Sequence, residues 1–359
     1  MKRKRVVVAM SGGVDSSVAA ALLQKQGYEV IGITMCFNLP DAKTKRPGCC
    51  GLQGIEDARR VAHALGIRHY VLNMQKALKE RVIKDFCREY MKGRTPNPCV
   101  RCNQYLKFDL LLKKALSLGA AFLATGHYAR ITKSGAGHFL KKAKDKHKDQ
   151  SYFLYRLGQE QLKNILFPLG NYTKTEVRSL ARKFDLPVAD KPGSQEICFV
   201  PDMDYRTFLQ KTIPDFHGRI KPGYILDTQG NIIGSHKGIA FYTVGQREGL
   251  GIAMGYPVYI TKIDYRNNSI CVGAKNEALA KDFLAGDIHF VGDPIKKRIA
   301  LKVKIRYNHK EAFADLGLSG KTVEVRFRKP QFAVTPGQSA VFYDSDRVVG
   351  GGIIGKVLG

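Results

Sequence analysis

The stretch Arg5-Val6-Val7-Val8-Ala9-Met10 breaks at Ser11-Gly12-Gly13 into a helical pattern, and this junction constrains the fold more than any other feature of the chain. Apolar, mostly β-branched residues without polar interruption read as a strand buried on both faces. Val18, Ala19, Leu22 and Leu23 then share a helix face, Gly27 ends the helix, and Val30 to Cys36 make a second strand. A helix with Ile55, Ala58, Val61, Ala62 and Leu65 inward leads to the strand Tyr70 to Leu72. Helices near 75–91 and 104–118 lead to the strand Ala121 to Ala124. Strands alternating with helices imply an α/β class with a mostly parallel sheet, whose ligands sit at the carboxyl ends of the strands. Ser11 to Ser16, Met35 and Gly126-His127 all fall at such ends.

The second half reads differently. A basic stretch loosened by glycines, 131–150, reads as a mobile loop or hairpin, and helical text resumes over about 159–186. After Pro201 that rhythm is lost, and glycines punctuate short strands. The division expected is 1–203 for an α/β nucleotide domain, 204–283 for a small β-rich domain and 284–359 for a β-barrel with strands at 299–307 and 322–328. Charge matters here: 59 Lys and Arg against 31 acids leave +28, which points to a polyanion such as nucleic acid. Leu301, Val303, Ile305 and Tyr307 alternate with Lys302, Lys304 and Arg306, so a half-buried strand would show a basic outer face. No apolar run approaches the roughly 20 residues that cross a bilayer, and no apolar segment follows Lys2-Arg3-Lys4-Arg5, so no membrane partner and a cytoplasmic location are expected.

A Ser-Gly-Gly turn between strand and helix gathers amides and a helix N-terminus around an anion. It lacks the lysine of a Walker loop and the Gly-x-Gly-x-x-Gly of a dinucleotide site, which argues against γ-phosphate transfer and dinucleotide binding. Eight cysteines are too few for a stapled secreted scaffold. Two of them, Cys99 and Cys102, stand in the proline-set segment Thr95 to Asn103 just before a helix, where amides, Arg94 and Arg101 favour thiolate. Cys198, between Ile197 and Phe199, reads more as a thiol folded over the sheet edge than as a core residue. Cys99, Cys102 and Cys198 also have a composition that zinc or an iron–sulfur cluster accepts. Cys36, Cys87 and Cys271 read as structural, and Cys49-Cys50 as a pair in a glycine-rich loop.

Ser11-Gly12-Gly13-Val14-Asp15-Ser16-Ser17 resembles the PP-loop of ATP pyrophosphatases, which split ATP between its α and β phosphates and adenylate a carbonyl oxygen. The further segments Thr95 to Asn103, Ala124 to Arg130, Lys148 to Leu154, Phe167 to Gly170, Ser194 to Phe199, Phe241 to Arg247 and Ala333 to Gln338, in that order, make almost the whole chain similar to the tRNA-specific 2-thiouridylase family. The resemblance implies an adenine-nucleotide-hydrolase-like domain, a small central domain and a C-terminal β-barrel. It implies an ATP site at Ala9, Met10, Ser11, Gly12, Gly13, Val14, Asp15, Ser16, Met35 and Gly126, with Mg2+ near Asp15. It places Asn97, Pro98 and Cys99 at the target base, makes Cys102 the nucleophile and Cys198 its persulfide-forming partner, and gives tRNA contacts to Lys148, Asp149, Gln150, Arg306 and Tyr307. A second account of the family uses a [4Fe-4S] cluster. Partners implied are the anticodon arm of Lys, Glu and Gln tRNAs and a cysteine desulfurase or sulfur-relay protein, with a monomeric enzyme. The chain departs from many members in carrying Cys99 where they have aspartate, which removes any acid–base role there, and in Glu248 after Arg247. Two other readings fit parts of the text: a PP-loop enzyme adenylating a small metabolite, and a non-catalytic RNA-binding protein.

Overall fold

A computed structural model describes residues 3–37, 52–135, 137–193, 197–200 and 204–358. Two compact units emerge: one of Met1–Val82, Cys99–Met203 and Asp346–Val348, the other of Ile83–Pro98, Asp204–Ser345 and Val349–Gly359. No helix among the described residues is long and apolar enough to cross a membrane.

The first unit is built on the opening strand. β1 (Arg5–Ala9) carries Val6, Val7 and Val8 with no exposed surface, as its uninterrupted apolar text requires. It pairs in parallel with β2 (Glu29–Cys36) on one side and β4 (Phe122–Thr125) on the other, and β3 (Arg68–Asn73) and β7 (Ile165–Leu166) extend the sheet to the order β3-β2-β1-β4-β7. The core joins Val6 and Val8 to Val18 and Leu23 of α1 (Val14–Lys25), Val61 of α2 (Leu52–Ala64), and Val177 and Ala181 of the helix Lys174–Lys183. The chain runs outward from β1 through β2 and β3, then returns to β1's other side with β4. The strand order therefore reverses between β1 and β4, and a crevice opens at their carboxyl ends.

Two local expectations are corrected, and for 131–150 the hairpin is the form found. The helical text of 159–186 is broken: Gln159–Leu162 ends before β7, and Phe167-Pro168 separates it from Lys174–Lys183 because proline cannot continue a helix. The helix expected at 104 begins at Pro98, a position where proline suits a first turn, and runs helically to 117 with π-type turns over Asn103–Leu111. The segment 131–150 is a hairpin of β5 (Arg130–Ser134) and β6 (Gly137–Lys141) followed by a pinned turn, held by Lys144 N donating to Gly170 O at 2.9 Å. Asp346 anchors this hairpin, accepting from Arg130 Nη2 at 3.0 Å and facing Lys141 Nζ at 3.3 Å.

The second unit is not purely β at its start. Tyr205–Thr212 is a helix whose N-cap, Asp204, accepts from Arg206 N and Thr207 N, and whose Tyr205 stacks on Tyr90 at 4.5 Å. A four-stranded sheet follows, ordered β10-β11-β8-β9 from β8 (Gly223–Leu226), β9 (Ile232–His236), β10 (Tyr259–Asp264) and β11 (Ser269–Gly273). Then β12 (Leu279–Phe290), β13 (Ile299–Lys304), β14 (Ala312–Ser319), β15 (Thr322–Phe332), β16 (Ser339–Asp344) and β17 (Arg347–Leu358) close a barrel in the order β12-β15-β14-β13-β16-β17, with β17 pairing back on β12. Its inside is apolar. Leu301, Val303 and Ile305 alternate inward as expected, each worth about 1.5–3 kcal/mol of burial.

Candidate nucleotide site and thiol helix

The loop Ser11–Gly13 sits at the reversal point. Ala9 pairs with Ile33 and Thr125, and buried Met10 donates its N–H to Ile33 O at 2.9 Å, so the sheet fixes where the loop begins. Ser16 Oγ accepts from Ser11 N at 3.2 Å and donates to Gly13 O at 3.2 Å, which folds the loop back on its own helix. Gly13 is the N-cap of α1 with no side-chain hydrogen bond, leaving helix amides for an anionic ligand. Val14 is buried, Asp15 is half-buried, and Met35, one residue before the end of β2, pairs with Leu72 of β3.

Two glycines are sterically required. Gly12 has φ +70°, and a Cβ there would stand 2.2 Å from Gly54 O of α2. A Cβ on Gly126 would meet Asp15 C and Ser16 N at 2.7 Å, so the turn after β4 lies directly on the loop. His127 then donates or accepts at Thr125 Oγ1, 2.7 Å away, with its ring 5.8 Å from Phe108 and 5.9 Å from Phe167. Burial, with Lys107 adding repulsion, holds its pKa well below the ordinary value of 6.5, so the ring is neutral.

The loop has no lysine of its own, yet the fold supplies two. Lys174 Nζ donates to Asp15 Oδ1 at 2.6 Å, and Tyr128 Oη donates to the same oxygen at 2.8 Å. Burial, and then the Asp15 charge, pushes the Tyr128 phenol up, which keeps it a donor. Lys191 Nζ donates to Gly12 O at 3.0 Å and to Asp57 Oδ2, while Arg60 and Gln53 also reach Asp57. Burial would raise the Asp57 carboxyl, but those hydrogen bonds outweigh it and hold it below 3.8. Tyr128, Lys174, Asp57 and Lys191 were not singled out from the sequence. The capping box Thr173-x-x-Glu176 marked only the helix start that presents Lys174. For Mg2+ the donors here are the Asp15 carboxylate and the Ser11 and Ser16 hydroxyls. With Lys174 already on Asp15, this set suits an ion carried in on phosphate oxygens better than one caged by protein.

Cys99 and Cys102 lie in the first turns of the helix that starts at Pro98, three residues apart and so on one face, Cys99 half-buried and Cys102 buried. Asn103 Nδ2 donates to Phe153 O at 3.1 Å and ties that helix to the turn Ser151–Phe153. Upstream, in the second unit, Arg94 and Thr95 are held by the barrel: Thr95 N donates to Pro336 O at 2.9 Å, Gln338 Nε2 donates to Thr95 O at 2.9 Å and Pro96 O at 3.2 Å, and Arg94 Nη2 donates to Ile354 O at 3.2 Å. Gly337, at φ +94°, has no room for a Cβ beside Thr95 N at 2.8 Å. The strip that carries Asn97 and Pro98 is thus positioned from the Ala333–Gln338 turn.

Cys198 is half-buried beside buried Phe199 and Val200, and Ser194, Gln195 and Glu196 of its motif lie outside the described residues, as do Cys49 and Cys50. Among the described residues no group of three or more His, Cys, Asp and Glu gathers as metal ligands. Cys99, Cys102 and Cys198 do not form such a set. Burial pushes the Cys87 thiol up to about 11, consistent with a structural residue.

The expected tRNA contacts divide. Lys148 is half-buried on its turn, with its N–H given to Asp145 Oδ1 at 3.2 Å. Asp149 is buried and bonds inward, accepting from Ala143 N at 2.9 Å and Ser151 Oγ at 2.8 Å, so its side chain organises the turn. Gln150 is bonded on both sides to the Tyr128 backbone at 3.0 and 2.8 Å. Arg306 keeps the burial alternation of Leu301 to Ile305 although β13 ends at Lys304, but its guanidinium is engaged within the second unit. Its Nη2 donates to Val244 O at 2.7 Å, Ala333 O at 3.1 Å and Thr335 Oγ1, stapling the Phe241–Arg247 motif to the barrel. Tyr307 is half-buried, with Lys304 Nζ 5.4 Å from its ring centre.

Known proteins agree along the whole chain. Residues 4–202 match a family described as tRNA methyl transferase HUP domain, 206–274 one described as tRNA methyl transferase PRC-barrel domain, and 280–354 one described as aminomethyltransferase beta-barrel domain. A protein of Acetivibrio thermocellus described as tRNA-specific 2-thiouridylase MnmA is 53% identical over 361 residues, covering 99% of this chain and 100% of that one. One of Halothermothrix orenii with the same description is 53% identical over 356 residues, covering 98% of each. A solved 4-thiouridine synthetase in complex with RNA and ATP is 18% identical, with a TM-score of 0.37 over 60% of this chain and 52% of that one, too weak a likeness to carry an argument. With half of its residues shared end to end with these relatives, the chain belongs to the tRNA-specific 2-thiouridylase family.

Proposed function

We propose that this protein is an ATP-dependent tRNA-uridine 2-sulfurtransferase that converts the C2 oxygen of the wobble uridine, position 34, to sulfur. The observation that carries the reading is the 53% identity maintained over 99% of the chain, in a protein whose PP-loop lies at the strand reversal. Uridine C2 is a urea-like carbonyl and resists displacement. Its oxygen attacks the α-phosphorus of ATP, pyrophosphate leaves, and the C2–O bond becomes a bond to AMP, a good leaving group. The α1 amides, Lys174 and Lys191 meet the charge that collects on the phosphates, and Mg2+, when bound, shares that charge. Gly126 leaves the space the loop needs.

Sulfur arrives from a cysteine desulfurase or relay protein as a persulfide on Cys198. The terminal sulfur attacks C2 and AMP departs. The Cys102 thiolate then attacks Cys198 Sγ, breaking the S–S bond, so that sulfur stays on C2 and a Cys102–Cys198 disulfide remains for a thiol reductant to open. Cys99, on the same helix face as Cys102, is placed to act as a resolving thiol. Asn97 and Pro98 approach the base, which leaves the anticodon loop at a cost of a few kcal/mol. Lys148, Asp149, Gln150, Arg306 and Tyr307 belong to the tRNA footprint of this reading, with the anticodon arms of Lys, Glu and Gln tRNAs as substrates, a cytoplasmic monomer as the enzyme, and 1–203, 204–283 and 284–359 as its functional divisions.

The test supplies purified protein with ATP, magnesium, a persulfide donor and a tRNA transcript, then measures AMP and digests the RNA for 2-thiouridine. Both products should form together. Cys102→Ser should bind tRNA and lose thiolation to background. A wild-type protein that makes neither product, or a variant that thiolates normally, defeats the respective assignment.

A further inference from the structure

The barrel's outer wall carries one aromatic residue in an unusual setting. Phe313, on β14, is 51% exposed, although its neighbours Ala314 and Leu316 are fully buried. Its cross-strand partner on β13 is Lys302, whose Nζ lies 5.3 Å from the ring centre. From β15, Arg328 brings its guanidinium carbon to 5.2 Å. An exposed ring thus stands between two cations across three adjacent strands, and Lys304 with Tyr307 repeats the pairing farther along.

The neighbouring charges on the same wall behave differently. Arg298 pairs with Glu324 at 2.5 Å, and Arg326 with Asp282 at 3.4 Å and Glu324 at 3.6 Å. Among the described residues no acid pairs with Lys302 or Arg328. Arg298 and Arg326 are thus neutralised, whereas the two cations that flank the exposed ring are not. A flat apolar face between un-neutralised cations matches an unstacked base carried on phosphates, and neither a duplex, whose bases are hidden, nor an apolar protein surface has both parts.

We propose that Phe313 is a stacking platform for an unpaired nucleobase of the RNA substrate, with Lys302 and Arg328 engaging the phosphates on either side. The inference rests on the reading that the protein acts on tRNA. The chain has no tryptophan, so Phe313→Trp installs a single fluorophore at the platform. tRNA should quench it over the same concentration range in which filter binding detects the complex, and an RNA duplex of equal length should not. Phe313→Ala and Phe313→Leu should both raise Kd about tenfold or more, the loss expected for one stacked base, with the salt dependence unchanged. Lys302→Gln and Arg328→Gln should each lower the salt slope by about 1. If tRNA binds but leaves the tryptophan unquenched, if duplex quenches it equally, or if Phe313→Leu binds as tightly as the parent, the platform is overturned and the tRNA reading stands. If the parent protein binds no tRNA at all, both fall.

Discussion

At the carboxyl ends of β1 and β4, charged groups are few, mostly buried and individually aimed: Lys174 on Asp15, Lys191 on Gly12 and Asp57. On the barrel wall they are more numerous, over an apolar interior of Phe283, Val303, Phe327 and Phe342. The contrast teaches where a charge acts by position and where it acts by number. Near the loop each ammonium has a defined oxygen at hydrogen-bond distance. Along β13 the cations contribute a field that no single residue dominates.

The sharpest way to break that contrast is at Asp57. Asp57→Asn leaves Lys191 nearly buried without its counter-charge and should cost about 3 kcal/mol of stability, read by denaturant unfolding. Because its carboxyl is held below 3.8, the stabilisation is complete above that pH and disappears as pH falls beneath it. The double variant Asp57→Leu with Lys191→Met should recover much of the stability and still cleave ATP poorly, which would separate holding the loop from charging it. A Gly126→Ala variant should fold yet form AMP about 100-fold more slowly, since its Cβ displaces the Asp15–Ser16 backbone, and a normal rate would show that the close approach is not needed for chemistry.

A smaller effect is expected at His127. Its folded-state pKa is lowered, so stability is full above pH 6.5 and declines below it, as the unfolded chain takes up a proton that the buried ring refuses. His127→Gln should remove up to about 2 kcal/mol of that decline between pH 6.5 and 5. The smallest belongs to the wall: Arg298→Gln breaks an exposed pair and should change stability by less than about 1 kcal/mol. A larger loss there would mean that barrel charges, too, act by position.

What could be read from the text follows the same division. The strand, loop and helix at Arg5–Lys25 were legible because the signals lie within a few turns of one another: an apolar run, adjacent glycines and a helical stripe. The inward alternation of Leu301, Val303 and Ile305 was legible for the same reason. Lys174 and Lys191 lie 159 and 179 residues from their partners at the loop, so no spacing rule links them. The bonds of Arg306 to Val244, Ala333 and Thr335 were not legible, because those partners lie 62, 27 and 29 residues away. The helix Tyr205–Thr212 was missed because its eight residues bury only Leu209, and its cap, Asp204, resembles any turn aspartate.

Those two remote lysines bear on how portable such a loop is. Grafting residues 5–25 onto another scaffold would transfer the amide nest and the glycine geometry, but neither ammonium group would travel with it. The transplant would hold a phosphate weakly and have nothing to balance a departing pyrophosphate. The smallest exchangeable piece is therefore the first unit's whole sheet with the helix Lys174–Lys183 and the segment through Lys191, and a minimal ATP-splitting fragment should be cut there.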